Sequence, residues 1–107
     1  AAVDYVENRQ GITADELNST ARIFAEVIED EKMLENAVSW SKRAIEIEAR
    51  YTNYYTLAAL YYKLGENRKA KKAAKKAIKV ATKNNEDAQV VKDLLNQIKS
   101  GKEFGAS

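Results

Sequence analysis

The chain has 107 residues and a formal net charge of +2, and it contains neither cysteine nor histidine. Their absence excludes disulfides, thiol and imidazole catalysis, and nearly every zinc or copper site. Because the chain has no proline and only four glycines, a fold built from β-hairpins is also excluded, and a single domain of long helices is predicted.

Six helices are predicted in chain order. The first precedes Gly11, and the second begins at Thr13, because Thr13 and Glu16 form a capping box. Gly65 is typical of a helix C-terminus and ends the fourth helix, whereas Asn85 is predicted to cap the sixth. The predicted ranges are 3–10, 13–29, 32–49, 52–65, 67–83 and 86–99.

The sequence repeats itself at an offset of 33 residues. The segments NAVSWSKRAIEI (36–47) and KAKKAAKKAIKV (69–80) align without a gap. Three apolar positions match, namely Ala37 with Ala70, Ala44 with Ala77 and Ile45 with Ile78. A repeated helix pair of this length predicts an α-solenoid, in which stacked pairs share one core.

Residues 53–84 resemble a tetratricopeptide repeat (TPR). That family places an aromatic residue, a leucine, a small residue and a tyrosine on its first helix, then a turn glycine, then small residues on its second helix. The matching residues here are Tyr54, Leu57, Ala58, Tyr61, Gly65, Ala70 and Ala77. The sequence departs from the family at Ala74, where an aromatic residue is usual, and at Thr82, where proline is usual. Residues 18–50 resemble the repeat more weakly, with Ala21 in place of the first aromatic residue.

The TPR resemblance implies an all-α fold of antiparallel helix pairs that form a short right-handed α-solenoid. The single helical-repeat domain then divides into a leading helix and N-cap region (1–17), repeat 1 (18–50), repeat 2 (51–84), a capping helix (85–100) and a flexible tail (101–107). Trp40 is predicted to pack between the repeats. Two repeats alone are marginally stable, because stacked neighbours supply the core. We therefore expect that the terminal helices cap the stack, that the chain self-associates, or that a neighbouring domain of the same protein covers it.

A second resemblance concerns the run WSKRAIEIEARYTNYYTLAALYYKLG (40–65). It is similar to helical-repeat tails joined to thioredoxin-like domains in some bacterial thiol–disulfide proteins. The chain has no CxxC motif, so this resemblance implies no redox chemistry here. It leaves open that the chain is the accessory tail of a redox protein. The start at Ala1 and the single Met33 fit a fragment or a processed product.

Five tyrosines between 51 and 62 separate by helical face. Tyr54 and Tyr61 lie seven residues apart and are predicted in the core, whereas Tyr55, Ala59 and Tyr62 form a second stripe. The TPR resemblance implies that this stripe faces a concave groove. Tyrosine supplies much contact area at a low entropic cost and is common at binding hot spots. The alternative is that Tyr55 and Tyr62 pack on a neighbouring helix or domain.

The predicted partner-binding groove comprises Arg22, Glu26, Glu29, Tyr55, Ala59, Tyr62 and Lys63. Some members of the resembling family hold a C-terminal carboxylate there with basic and amide side chains. Thr52, Thr56 and Ala59 occupy those positions instead, which disfavours a carboxylate-ended peptide. The sequence therefore predicts a protein–protein interaction or scaffolding module that binds a peptide, a helix or a neighbouring domain with apolar anchors and some positive charge.

The segment 66–80 gives a different candidate. On a helical wheel, one half of this helix carries alanines and the other only basic residues. The candidate anion-binding residues are Arg68, Lys72, Lys75, Lys76 and Lys79. Salt-dependent, nonspecific binding of anions or nucleic acid through helix 68–83 is the alternative function. Nucleic acid is disfavoured because no aromatic or amide side chain interleaves with the lysines.

No enzymatic site is predicted. The carboxylates Glu26, Glu29, Asp30 and Glu31 cluster, but a catalytic carboxylate needs burial or a charged partner that shifts its pKa. We expect no cofactor or metal. No apolar run approaches the roughly 20 residues that span a bilayer, so no membrane contact is expected. The compartment, cytoplasmic or periplasmic, stays open.

Overall fold

The computed structural model of the protein describes residues 13–101. Within this range it has five helices and no β-strand, which confirms the predicted all-α class. The helices are α1 (Ala14–Val27), α2 (Glu31–Ile47), α3 (Tyr51–Lys63), α4 (Asn67–Lys83) and α5 (Gln89–Ser100). The helix predicted at 3–10 and residues 102–107 of the tail predicted at 101–107 lie outside the described residues.

Side-chain caps begin the first two helices. The Thr13 hydroxyl accepts a hydrogen bond from the Glu16 N–H at 3.1 Å, and the Glu16 carboxylate accepts one from the Thr13 N–H at 3.4 Å. This confirms the predicted capping box. The Asp30 carboxylate accepts a hydrogen bond from the Met33 N–H at 3.1 Å and starts α2 in the same way. Both caps satisfy N–H groups that a helix leaves without partners.

Left-handed residues end α3 and α4. Gly65 has φ = +82°, and the Glu66 N–H donates to the Tyr61 carbonyl at 2.9 Å, which is the Schellman arrangement. Asn85 has φ = +56°, and the Glu86 N–H donates to the Ala81 carbonyl at 2.8 Å. Asn85 therefore ends α4, and the prediction that it caps the sixth helix is wrong. Asparagine is among the few residues that tolerate this conformation.

Helix α3 is the centre of the fold. Each helix packs on the next one in the chain, and α3 also contacts α1 and α5. Helices α3 and α4 pack on each other, and small buried residues let helix backbones approach closely. Fully buried alanines on these two helices include Ala58, Ala70, Ala74 and Ala77. Ala74 thus fits where the TPR resemblance implies an aromatic residue.

The Trp40 indole lies edge-on to the Phe24 ring, with centroids 4.9 Å apart. Edge-on aromatic pairs of this spacing are favourable beyond the area they bury. Both rings belong to residues 18–50, so this contact holds α1 to α2. Packing of Trp40 between the predicted repeats stays a prediction. None of the helices described is long and apolar enough to cross a bilayer.

Candidate functional site

An open cleft lies where α1, α3 and α5 meet. Its volume is about 190 Å³, and we call it the inner cleft; it is lined by Asn18, Arg22, Tyr51, Thr52, Tyr55, Thr56 and Val90. The first two turns of α3 supply four of these residues at the helical spacing i, i+1, i+4 and i+5, which is one face of the helix. The inner cleft is therefore built on the central helix of the fold.

A buried asparagine fixes the start of α3. The Asn53 side chain is 1% exposed, and its Nδ2 donates to the Glu48 carbonyl at 2.7 Å and lies 3.5 Å from the Ala44 carbonyl. The Asn53 carbonyl in turn accepts a hydrogen bond from the buried Ser41 hydroxyl at 3.2 Å. These contacts fasten the first turn of α3 to the last turn of α2. They hold the cleft-lining face of α3 at a fixed angle.

The accessible surface of the inner cleft is partly apolar. Val90 is 59% exposed, and the half-buried Tyr55 also lines the cleft. Asn18 belongs to the lining as well, but its Oδ1 atom is buried and has no hydrogen-bond partner among the described residues. The exposed part of the cleft therefore suits an apolar side chain.

The charges at the rim of the cleft neutralise each other. The Arg22 guanidinium lies 3.5 Å from the Glu26 carboxylate, and both side chains are exposed. An exposed pair of this kind contributes little to stability and is free to rearrange around a bound segment. Arg22 is the one predicted groove residue of repeat 1 that lines the cleft.

Two predicted groove residues are buried instead. Ala59 is 3% exposed and Tyr62 is 7% exposed. The Tyr62 hydroxyl donates to the Gln97 carbonyl of α5 at 3.2 Å, so α5 covers this end of the α3 stripe. The prediction that Ala59 and Tyr62 line an accessible groove is corrected accordingly. The sequence left open the alternative that Tyr62 packs on a neighbouring helix. In the structure Tyr62 packs on α5.

Lys63 and Glu29 join α3 to the end of α1. The Lys63 Nζ donates to the Ala25 carbonyl at 2.9 Å and lies 3.4 Å from the Glu29 carboxylate. The Lys63 side chain is only 10% exposed. A lysine near a helix C-terminus satisfies carbonyls that lack intrahelical partners. Lys63 therefore caps the end of α1, Glu29 pairs with Lys63, and neither of these two predicted groove residues lines the inner cleft.

The basic residues of α4 divide between two environments. Lys72 and Lys76 line a cavity of about 330 Å³, here called the lysine cavity, whose other lining residues are Lys42, Tyr54, Leu57, Tyr61, Lys69 and Ala73. The other predicted anion-binding residues, Arg68, Lys75 and Lys79, lie outside this lining, and all five predicted residues are exposed. A helical wheel of α4 cannot show Lys42, which belongs to α2. Lys69 lies on the basic half of that wheel, but the wheel does not distinguish the lysines at the cavity from those that face open solvent.

Comparison of the chain with protein-family models, with curated protein sequences and with solved structures finds no significant match. The residues that line the inner cleft and the lysine cavity are therefore interpreted from their own geometry and chemistry.

Proposed function

We propose that the chain is a non-catalytic, TPR-like interaction module that binds a peptide or helix of a partner protein in the inner cleft. The observation that carries this proposal is the opening between α1, α3 and α5, where Tyr55 and Val90 offer apolar surface. The sequence repeat at an offset of 33 residues supports a solenoid arrangement of the helix pairs.

The size of the inner cleft favours a side chain over a free small molecule. Pockets for small molecules usually measure about 300–1,000 Å³, whereas the inner cleft measures about 190 Å³. A single medium-sized apolar side chain, presented by a peptide or helix, fits such a volume better. The flanking threonines and the Arg22–Glu26 pair would then contact the polar parts of the same segment.

A displayed library of random peptides provides the test, with the full chain as bait. Selected peptides are expected to lose about tenfold or more in affinity for the Tyr55→Ala variant, because truncating a central aromatic contact commonly costs that much. Tyr54→Ala is the matched control, since the neighbouring tyrosine lines the lysine cavity instead. Its affinity for the peptides is expected to stay within about threefold of wild type.

Affinity is measured by titration calorimetry after circular dichroism has shown that both variants are folded. Failure to select any peptide would contradict the proposal. So would selected peptides that bind Tyr55→Ala as tightly as they bind wild type, or that lose equal affinity in both variants.

A further inference from the structure

The lysine cavity lies on different surfaces from the inner cleft and is formed by α2, α3 and α4. Its volume of about 330 Å³ falls at the lower end of the range for small-molecule sites. Four lysines, two tyrosines and two aliphatic residues line it. Strong positive charge therefore surrounds a partly apolar cavity, a combination that the proposed peptide binding does not use.

The lysines of the cavity come from two helices. Lys69, Lys72 and Lys76 follow the spacing i, i+3 and i+7, which places them on one face of α4, and Lys42 reaches the same cavity from α2. The Nζ atoms of Lys42 and Lys69 lie 6.0 Å and 5.6 Å from the centroid of the Tyr61 ring. Both ammonium groups lie within the range of cation–π attraction to this ring, so the Tyr61 ring helps to hold Lys42 and Lys69 at the cavity.

Three of these ammonium groups have no acidic partner within the described residues. Lys69 pairs with Glu66 at 3.3 Å, but no carboxylate of residues 13–101 forms an ion pair with Lys42, Lys72 or Lys76. Like charges that share a site repel one another. A bound anion would relieve that repulsion and would satisfy several N–H donors at once, because each lysine ammonium carries three.

The remaining lining residues define what accompanies the anionic part of a ligand. Tyr54 is half-buried, whereas Leu57, Tyr61 and Ala73 are buried, so the cavity presents aromatic and aliphatic surface beneath its charged rim. Aromatic side chains stack on bases with little sequence preference, because every base has a π-face. The cavity thus matches a ligand with several negative charges at one end and a planar ring at the other.

We infer that the lysine cavity binds a nucleotide-sized organic polyphosphate, such as a nucleoside triphosphate, whose phosphates contact Lys42, Lys72 and Lys76. The ring of the ligand lies against Tyr54. Lysine is a common phosphate binder, acting as a point charge rather than as a planar fork. Binding alone is inferred, without chemical change of the ligand.

Paired charge-removing variants of α4 test this inference. ATP is titrated into the full chain, and binding is followed by calorimetry and by amide shifts in ¹H–¹⁵N spectra. Lys72→Gln with Lys76→Gln is expected to weaken ATP binding about tenfold or more, because charge-assisted hydrogen bonds are lost. Lys75→Gln with Lys79→Gln removes the same charge from the same helix outside the cavity and is expected to change the affinity by less than about threefold.

Three further measurements address the other parts of the inference. Lys42→Gln, on α2, is expected to weaken ATP binding severalfold, since Lys42 completes the cavity from the other side. Inorganic tripolyphosphate is expected to bind more weakly than ATP, and Tyr54→Leu is expected to remove the difference. The largest amide shifts are expected at Leu57 and Ala73, at the base of the cavity.

Several results would overturn the inference. If the two double variants lost equal affinity for ATP, the general positive charge of α4, and not the cavity, would attract the anion. Salt-sensitive binding of duplex DNA that both double variants reduced equally would lead to the same conclusion. Absence of shifts at Leu57 and Ala73 would place the ligand elsewhere. Equal affinities for tripolyphosphate and ATP would reject the assignment to a nucleotide.

Discussion

Replacing Leu60 with alanine is expected to lower the free energy of unfolding by about 3–5 kcal/mol, the range typical of buried leucines. Leu60 has no exposed surface and lies on α3, the helix that packs on all four of the others. The loss combines the transfer free energy of the removed carbons with the cavity that they leave. Because small domains have about 5–15 kcal/mol of stability in total, this variant should unfold at much lower urea concentration.

Urea denaturation followed by circular dichroism measures the effect of Leu60→Ala. Ile47→Ala is the control, because Ile47 is 53% exposed and exposed substitutions usually stay within about 0.5 kcal/mol. Leu60→Met conserves volume and should cost less than about 1.5 kcal/mol. If Leu60→Ala were as stable as Ile47→Ala, α3 would not be the centre of the core.

Replacing Asn53 with alanine is expected to lower the free energy of unfolding by about 1–3 kcal/mol, because the Glu48 carbonyl would lose its buried donor. The Asn53 Oδ1 atom itself lacks a hydrogen-bond partner among residues 13–101, so its removal offsets part of this loss. The variant should also bind the selected peptides more weakly, since Asn53 fixes the angle of the helix that carries Tyr55.

Asn96→Ala is the matched control for Asn53→Ala. Asn96 is exposed on α5, and its replacement should change the stability by less than about 0.5 kcal/mol. Equal effects of the two substitutions would show that the Asn53 hydrogen bonds do not secure the joint between α2 and α3. If Asn53→Ala were destabilised but bound the selected peptides as tightly as wild type, the joint between α2 and α3 would not influence binding in the inner cleft.

Local signals made the helices predictable from the sequence. The capping box at Thr13 and the left-handed Gly65 are each specified within a few residues, and both appear in the structure. Asn85 shows where such reasoning fails. Asparagine suits both a helix start and a left-handed helix end, and only the hydrogen bond from Glu86 to the Ala81 carbonyl distinguishes the two.

The sites were less predictable because they depend on contacts between distant segments. Helical spacing assigned Tyr55 and Tyr62 to one stripe of α3. In the structure Tyr55 lines the inner cleft, whereas α5 covers Tyr62 farther along the same helix, which the spacing could not show. The spacing of lysines on α4 likewise identified a basic face without revealing that Lys42 and Tyr61 turn part of it into a cavity. The hydrogen bond from the Asn53 side chain to the Glu48 carbonyl spans only 5 residues. It was not predicted either, because the residue types in this stretch do not indicate it.

The amide spectrum of the full chain with a selected peptide tests the proposed function most directly. The binding of a peptide in the inner cleft predicts the largest shifts at Asn18, Thr52, Thr56 and Val90, with small changes at Leu57 and Ala73 in the lysine cavity. ATP should produce the reverse pattern if the two sites are independent. Peptide-induced shifts centred on the lysine cavity, or scattered over α4 without any at the inner cleft, would contradict the proposal.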